Sequence, residues 1–126
     1  MKKAVATTKA PAAIGPYSQA VLAGNFLYVS GQLPVNPVDG KIPDSIEAQA
    51  QVSLNNIDAI LGEAGFSRKD VVKTTIFLKN LGDFAKVNEV YGGFFEGAAF
   101  PARSTIEVSR LPKDASIEIE AVAYKD

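Results

Sequence analysis

The sequence contains no cysteine and no histidine. Without cysteine there is no disulfide, no thiolate nucleophile and no cysteine-ligated zinc or iron–sulfur cluster. Without histidine the chain lacks the commonest general base and the commonest transition-metal ligand, and a serine–histidine–aspartate triad is excluded. Any chemistry therefore depends on carboxylates, arginine, lysine, tyrosine, hydroxyl groups or the backbone.

The sequence also lacks an excess of positive charge and long hydrophobic runs. Lys plus Arg is 13 and Asp plus Glu is 14, so the net charge is 13 − 14 = −1. This is a poor electrostatic footprint for nucleic-acid binding. No apolar run approaches the ~18 residues that a membrane-spanning helix needs. Residues 1–11 carry a lysine pair but no apolar segment of a secretory signal. These features predict a cytoplasmic protein without a membrane partner.

What remains is the composition of a globular protein. The chain has 126 residues, of which 47% are hydrophobic and 21% charged, and this predicts one domain over residues 1–126. Residue patterns predict a short N-terminal strand, strands at 19–23 and 26–32 around a turn at Gly24-Asn25, and a loop over 34–43. A helix over about 45–64, a strand at 71–78 and a second helix follow, and strands at about 104–108 and 116–124 end the chain.

Both helices have recognisable start or stop signals. Asp44 is the predicted N-cap of the first helix, with Glu47 as its capping-box partner, and Gly65 is the predicted terminator. Asp83 is the predicted cap of the second helix. Each helix presents one apolar stripe, so both can cover one face of a single mixed sheet, giving an α+β fold. The uncovered sheet face, which carries charged and aromatic residues, suggests a symmetric homo-oligomer.

The last two strands carry the candidate chemistry. If the strand extends back to Arg103, alternation places Arg103, Thr105 and Glu107 on one of its faces. On the last strand, Glu118 and Glu120 share the face opposite the apolar row. A fixed arginine suits bidentate binding of a carboxylate or phosphate, and a fixed glutamate suits activation of water. Charged residues on strands also commonly mark only the solvated face of a sheet, and the pattern alone leaves both interpretations open.

Six segments in order resemble the Rid family of reactive intermediate deaminases, also called the YjgF family. They are APAAIGPYSQ (10–19), SGQLPVNP (30–37), the strand around Lys73, DFAKVNEVY (83–91), PARS (101–104) and SRLPKDASIEIEA (109–121). The resemblance covers nearly the whole chain. It implies a chorismate-mutase-like α+β fold and a homotrimer with a cavity at each subunit interface.

The resemblance also implies an activity without a cofactor. Members of the 2-iminobutanoate/2-iminopropanoate deaminase type hydrolyse 2-imino acids, formed when serine or threonine is dehydrated, to 2-oxo acids and ammonia. Arg103 matches the family's carboxylate-binding arginine, and Glu118, rather than Glu120, matches its water-positioning glutamate. The other matching cavity positions are Tyr17, Ser30, the backbone of Gly31, and Asn88. Thr105 stands where close relatives often carry cysteine, and it can still line the cavity and form a hydrogen bond.

Two other classes of function compete with the deaminase. The arginine-bearing cavity could belong to a non-catalytic module that binds 2-oxo acids or amino acids and signals to a partner. An endoribonuclease or translation inhibitor is the third, and the absence of histidine and of net positive charge argues against it.

Overall fold

The computed structural model describes residues 1–126 and contains six β-strands and two α-helices. The strands are β1 (Lys2–Val5), β2 (Ala20–Ala23), β3 (Phe26–Gln32), β4 (Val71–Leu78), β5 (Ala102–Glu107) and β6 (Ile117–Tyr124). The helices are α1 (Ile46–Glu63) and α2 (Phe84–Phe94). The predicted α+β order of elements is confirmed. Neither helix is long and apolar enough to cross a membrane.

All six strands form one mixed sheet in the order β1-β2-β3-β6-β4-β5. Every neighbouring pair is antiparallel except β4 and β5, which are parallel. A parallel pair needs a crossover connection, and α2 provides it between β4 and β5. The strand that carries Arg103 is therefore an edge strand, whereas the strand that carries Glu118 lies in the middle of the sheet.

Strand β5 begins two residues before, and ends one residue before, the predicted 104–108 segment. Its start is set by pairing with β4, in which Lys73 lies opposite Ala102 and Thr74 opposite Arg103. That pairing is a tertiary contact that the local pattern does not contain. As a result Arg103 lies within the strand.

Helix α1 begins one residue later than predicted, and the assignment of Asp44 as its N-cap was wrong. Ser45 is the N-cap, with an extended backbone, and its Oγ accepts a hydrogen bond from the N–H of Ala48 at 3.1 Å. Asp and Ser are both strong N-cap formers, so two in succession leave the choice to the backbone. Glu47 lies in the first turn.

Gly65 ends α1 as predicted. Its φ is +81°, which an L-residue with a side chain rarely adopts. The N–H of Gly65 donates to the carbonyl of Gly62 at 3.1 Å, and the N–H of Phe66 donates to the carbonyl of Leu61 at 2.9 Å. These two bonds are the Schellman arrangement of a helix C-terminus.

Helix α2 begins after Asp83, but the side chain of Asp83 makes no capping hydrogen bond. The short turn before α2 is capped by Asn80, whose Oδ1 accepts from the N–H of Gly82 at 2.8 Å. At the other end, Arg68 Nη1 donates to the carbonyl of Phe94 at 2.7 Å. The helix is thus tied at both ends to the segments next to β4.

Both helices pack on the same face of the sheet and bury one hydrophobic core there. Its fully buried large side chains include Leu27, Leu54, Ile57, Ile60, Leu61, Ile76, Leu78, Phe95, Ile117 and Ile119. The other face of the sheet has no helix. Phe26, Tyr28 and Tyr124 are exposed on it, and the rings of Phe26 and Tyr124 lie 4.9 Å apart. The sheet therefore has one covered face and one open face.

Candidate active site

The guanidinium of Arg103 lies against one side of α2. Arg103 pairs with the buried Thr74, which places its side chain on the covered face of the sheet. Its Nη1 donates to Asn88 Oδ1 at 2.8 Å. Its Cζ lies 4.9 Å from the ring centroid of Tyr91 and 5.3 Å from that of Phe84. These are cation–π distances, so three uncharged side chains of one helix hold the cation.

No carboxylate is paired with Arg103. The single ion pair of the structure joins Lys79 Nζ to Asp114 Oδ1 at 2.7 Å, away from this site. A guanidinium has five N–H donors, and Arg103 uses one of them, on Asn88. An arginine with free donors and no acidic partner is suited to bidentate binding of an anionic group.

Two grooves meet at Arg103. One has a volume of about 390 Å³ and is lined by Asn88, Tyr91, Gly92, Phe100, Pro101 and Arg103. The other has a volume of about 360 Å³ and is lined by Leu81, Phe84, Arg103 and Thr105. Both volumes suit a small ligand.

Thr105 lies on the same face of β5 as Arg103, as predicted, because it pairs with the buried Ile76. Its Oγ1 is buried and has no hydrogen-bond partner. An unpartnered buried hydroxyl is costly unless a ligand or another molecule supplies the bond. Glu107, the third residue predicted on this face, is already engaged: its Oε1 accepts from the N–H of Leu81 at 2.9 Å.

Glu118 lies on the open face of the sheet, directly over Gly31. A Cβ built on Gly31 would lie 2.8 Å from both Cδ and Oε2 of Glu118. Residue 31 has to be glycine for this carboxylate to occupy its place. The backbone of Gly31 and the carboxylate of Glu118, which were separate candidates in the sequence, are therefore in contact.

The pKa of Glu118 is raised above its ordinary value, first by burial and second by the nearby charge of Glu120. Burial penalises the ionised form, and a like charge adds to the penalty. A glutamate with a raised pKa is better suited to pass a proton in both directions near neutral pH. Glu120, which lies two residues further along β6 on the same face, is more exposed.

Next to Glu118, β3 contains a bulge that includes Ser30. The register with β6 shifts between Val29 and Gln32, so Ser30 and Gly31 form the irregular part of the strand. Ser30 Oγ donates to the carbonyl of Ser18 at 2.6 Å, and the Ser30 N–H donates to the carbonyl of Gln19 at 2.9 Å. These bonds tie the preceding segment, which contains the half-exposed Tyr17, to the end of β3.

The candidate residues therefore form two separate groups. We call Arg103 with Phe84, Asn88, Tyr91 and Thr105 the Arg half-site, and Glu118 with Ser30 and Gly31 the Glu half-site. Tyr17 lies in the segment that is tied to Ser30. Arg103 pairs with Thr74 of β4, and Glu118 pairs with Phe77 of the same strand. The two positions are three residues apart along β4, or about 10 Å, and their side chains leave opposite faces of the sheet. One chain does not bring them together.

Phe84 and Tyr91 belong to the apolar stripe of α2, and the sequence analysis predicts no role for them at the site. Their spacing contained a signal nonetheless. Phe84, Asn88 and Tyr91 stand at positions i, i+4 and i+7 and share one side of the helix. An aromatic–amide–aromatic stripe is a suitable surface for a guanidinium.

The structure contains no group of three or more histidine, cysteine, aspartate or glutamate side chains that could hold a metal ion. By their chemistry, Arg103 can bind an anion and Glu118 can transfer a proton.

Comparison with known proteins places this chain in a family. Residues 7–125 match the family model described as endoribonuclease L-PSP. The chain is 55% identical over 127 residues to the 2-iminobutanoate/2-iminopropanoate deaminase of Escherichia coli K12, covering 99% of each chain. It is similar to the crystal structure of a Rid family protein, YyfA from Yersinia pestis, at 48% identity and a TM-score of 0.97, covering 99% of this chain and 100% of that one.

A second solved structure, E. coli TdcF with bound serine, is 48% identical with a TM-score of 0.96, covering 98% of this chain and 99% of that one. The matches span essentially the whole sequence at both the sequence and the structural level. The resemblance predicted from six short segments is thereby confirmed, and this chain belongs to the endoribonuclease L-PSP family, which includes the Rid and YjgF proteins.

Proposed function

We propose that this protein is a 2-imino acid deaminase, which hydrolyses 2-iminobutanoate and 2-iminopropanoate to the 2-oxo acids and ammonia. The observation that carries the proposal is the guanidinium of Arg103, which lies in a groove with free N–H donors and no acidic partner. A 2-imino acid offers the matching carboxylate. The full-length similarity to the E. coli deaminase supports the same substrate class.

Each half-site carries out one part of the reaction. Arg103 binds the substrate carboxylate and thereby fixes the position of C2. Glu118 accepts a proton from water as the water oxygen bonds to C2 of the imine in its protonated, iminium form, giving a carbinolamine. Glu118 then returns the proton to the amine nitrogen, the C–N bond breaks and ammonia leaves. The hydroxyl gives its proton to Glu118 as it becomes the 2-oxo group, and Glu118 passes that proton to the departing ammonia.

The remaining residues arrange hydrogen bonds around the reacting carbon. The Ser30 hydroxyl donates to the carbonyl of Ser18 and can only accept from the substrate, whereas the hydroxyls of Tyr17 and Thr105 are free to donate. Such fixed donors stabilise charge that develops on the substrate. Imines already hydrolyse in water, so the site has only a modest barrier to lower, and one carboxylate is adequate.

The site is completed by a second copy of the chain, and we propose a homotrimer with one cavity at each interface. In 2-iminobutanoate the carboxylate carbon is bonded directly to C2, so the groups that bind them have to lie within a few ångströms of each other. Arg103 and Glu118 of one chain leave opposite faces of the sheet. The open sheet face, with exposed Phe26, Tyr28 and Tyr124, is a suitable surface for the neighbouring copy.

A coupled assay tests the proposed function. A dehydratase acting on threonine or serine supplies the imine, and release of 2-oxo acid and ammonia is compared with and without the purified protein. We expect release faster than the uncatalysed rate, and we expect Arg103→Ala to abolish the excess. Losing one partner of a buried charge pair typically costs about 2–5 kcal/mol. Arg103→Lys should also have low activity, because an ammonium cannot form the two parallel hydrogen bonds of a guanidinium.

Two results would contradict the deaminase. Binding of 2-oxobutanoate by the wild-type protein without any acceleration of imine decay would indicate a binding module. Cleavage of single-stranded RNA that survives both Arg103→Ala and Glu118→Gln would indicate a nuclease that uses other residues.

A further inference from the structure

The Arg103 guanidinium is placed by two aromatic rings as well as by Asn88. Phe84 and Tyr91 are seven residues apart on α2, which is about 10.5 Å along the helix axis at 1.5 Å per residue. The Cζ of Arg103 is 5.3 Å from one ring centroid and 4.9 Å from the other. The cation therefore lies between the two rings along the helix, with Asn88 in the middle.

Tyr91 is fixed more firmly than an ordinary core aromatic. It is 4% exposed, and its hydroxyl forms a 2.6 Å hydrogen bond with Thr74 Oγ1. Thr74 is the residue of β4 that pairs with Arg103 on β5. The ring of Phe95 packs on Tyr91 at 4.8 Å between centroids. The ring is thus tied to the same position of the sheet from which the arginine side chain leaves.

The phenol of Tyr91 stays neutral in this place. Burial raises its pKa, which outweighs the lowering by the hydrogen bond to Thr74 and by the charge of Arg103. A neutral phenol keeps its hydroxyl bond to Thr74 and presents the arginine with a ring rather than with a phenolate. No counter-ion then competes with a ligand carboxylate for the guanidinium.

We propose that Tyr91 and Phe84 are positioning residues for Arg103: their rings orient the guanidinium and exclude water from it, so that its free N–H donors face the substrate carboxylate. The inference rests on the proposed function in that Arg103 is taken to bind that carboxylate. A flexible arginine would lose side-chain entropy on binding, and rings that hold it beforehand reduce this cost. The rings therefore contribute to substrate binding rather than to the chemical step.

Helix α2 itself offers a matched control. Phe94 is another buried aromatic of the same helix, and its ring also lies under an arginine, Arg68, at 5.2 Å. Arg68 does not line either groove. Phe94→Leu thus removes an equivalent ring and an equivalent cation–π contact from the same helix, but not at the site.

The experiment compares Tyr91→Leu, Tyr91→Phe, Phe84→Leu and Phe94→Leu in the assembled protein. For each we would measure kcat and KM for imine hydrolysis, the Kd for 2-oxobutanoate by calorimetry, and the melting temperature. We expect Tyr91→Leu to raise KM and Kd about tenfold, the effect of a cation–π contact removed from water, with a much smaller fall in kcat. Tyr91→Phe keeps the ring and should restore binding to within about threefold of wild type, as the loss of one neutral hydrogen bond allows.

Phe94→Leu should lower the melting temperature and leave Kd unchanged. Equal effects of Tyr91→Leu and Phe94→Leu on Kd would overturn the proposal. If Tyr91→Leu does not fold, the Kd of Phe84→Leu tests the proposal instead. Phe84 is 37% exposed, so the fold should tolerate its replacement. An unchanged Kd in that variant would also overturn it.

A measurement without any ligand separates this inference from the proposed function. Nitrogen-15 NMR of the Arg103 guanidinium should find slow rotation about the Nε–Cζ bond in the wild-type protein and in Phe94→Leu, and averaged signals in Tyr91→Leu. Free rotation in the wild type would overturn the positioning role even if the protein hydrolyses imines. Slow rotation in a protein that hydrolyses no imine would reject the deaminase and leave the positioning role in place.

Discussion

Glu118 and Glu120 project from the same face of β6, yet their surroundings differ. Glu118 lies over Gly31 and has a raised pKa, whereas Glu120 is more exposed. We expect Glu118→Gln to lose about 10²- to 10⁴-fold in kcat, the usual contribution of a general base, while its Kd for 2-oxobutanoate stays near wild type. Glu120→Gln should be much milder. Steady-state kinetics and calorimetry on both variants check this, and a dead Glu120→Gln with an active Glu118→Gln would reverse the assignment.

The neighbouring charge of Glu120 gives a further prediction about pH. Glu118 acts as a base only when ionised, so kcat/KM should rise as pH increases through its pKa. Because burial and Glu120 both raise that pKa, the rise should occur at higher pH than for an ordinary glutamate. Glu120→Gln removes the second cause and should move the acidic limb to lower pH. If the acidic limb of the kcat/KM profile does not move in Glu120→Gln, measured with the same imine, a group other than Glu118 controls that limb.

Gly31→Ala should damage activity far more than stability. The new Cβ would lie 2.8 Å from the carboxylate end of Glu118, which can swing away at little cost to the fold but then leaves its place. A displacement of about 1 Å at a catalytic group can cost about 10²-fold in rate. Gly93→Ala is the control, since a Cβ there meets nothing within 4 Å. Similar rates for the two variants would separate Gly31 from the position of Glu118.

At the scale of single elements, the N-terminus of α1 provides a direct test of a capping interaction. Ser45 Oγ accepts from the N–H of Ala48, and the adjacent Asp44 makes no such bond. Ser45→Ala should therefore lower the free energy of unfolding by about 1 kcal/mol, whereas Asp44→Ala should change it by a few tenths. Chemical denaturation at one fixed protein concentration measures both, because an oligomer's stability depends on concentration. A larger loss in Asp44→Ala would restore the cap predicted from sequence.

The same elements illustrate what local sequence determines. The apolar stripe and Gly65 were sufficient to predict α1 and its end, because periodicity and a positive φ are local properties. They were not sufficient to choose between Asp44 and Ser45 as the N-cap, since either residue can cap a helix. The start of β5 also escaped prediction, because Ala102 and Arg103 are strand residues only through their pairing with β4.

At the scale of the whole molecule, the sequence pattern could not predict that the candidate residues lie on two opposite faces of the sheet. Alternation predicted correctly that Arg103 and Thr105 share a face, and that Glu118 lies opposite the apolar row of its own strand. Whether side chains of two different strands lie on the same face of the sheet depends on strand order and register. Here β4 links them: Thr74 beside Arg103 is buried under the helices, and Phe77 beside Glu118 faces the open side.

This division predicts that two inactive variants restore each other when they share an oligomer. In a mixed trimer of Arg103→Ala and Glu118→Gln chains, a cavity is intact when its Arg half-site comes from the Glu118→Gln chain and its Glu half-site from the Arg103→Ala chain. Random assembly of equal amounts gives about one intact cavity in four. Chains that are unfolded together and reassembled should recover about a quarter of wild-type activity, whereas each variant reassembled alone should recover none.

The control pair is Gly31→Ala with Glu118→Gln, whose changes fall in the same half-site and in direct contact. Every chain of that mixture carries a damaged Glu half-site, so no cavity is intact and activity should not return. Native mass spectrometry would verify that mixed oligomers form in both mixtures. Mixed oligomers without recovery for the Arg103 and Glu118 pair would contradict a shared site, and so would a protein that stays monomeric at micromolar concentration yet hydrolyses imines. The sheet separates Arg103 from Glu118 within one chain, so a site that uses both side chains can form only across an interface.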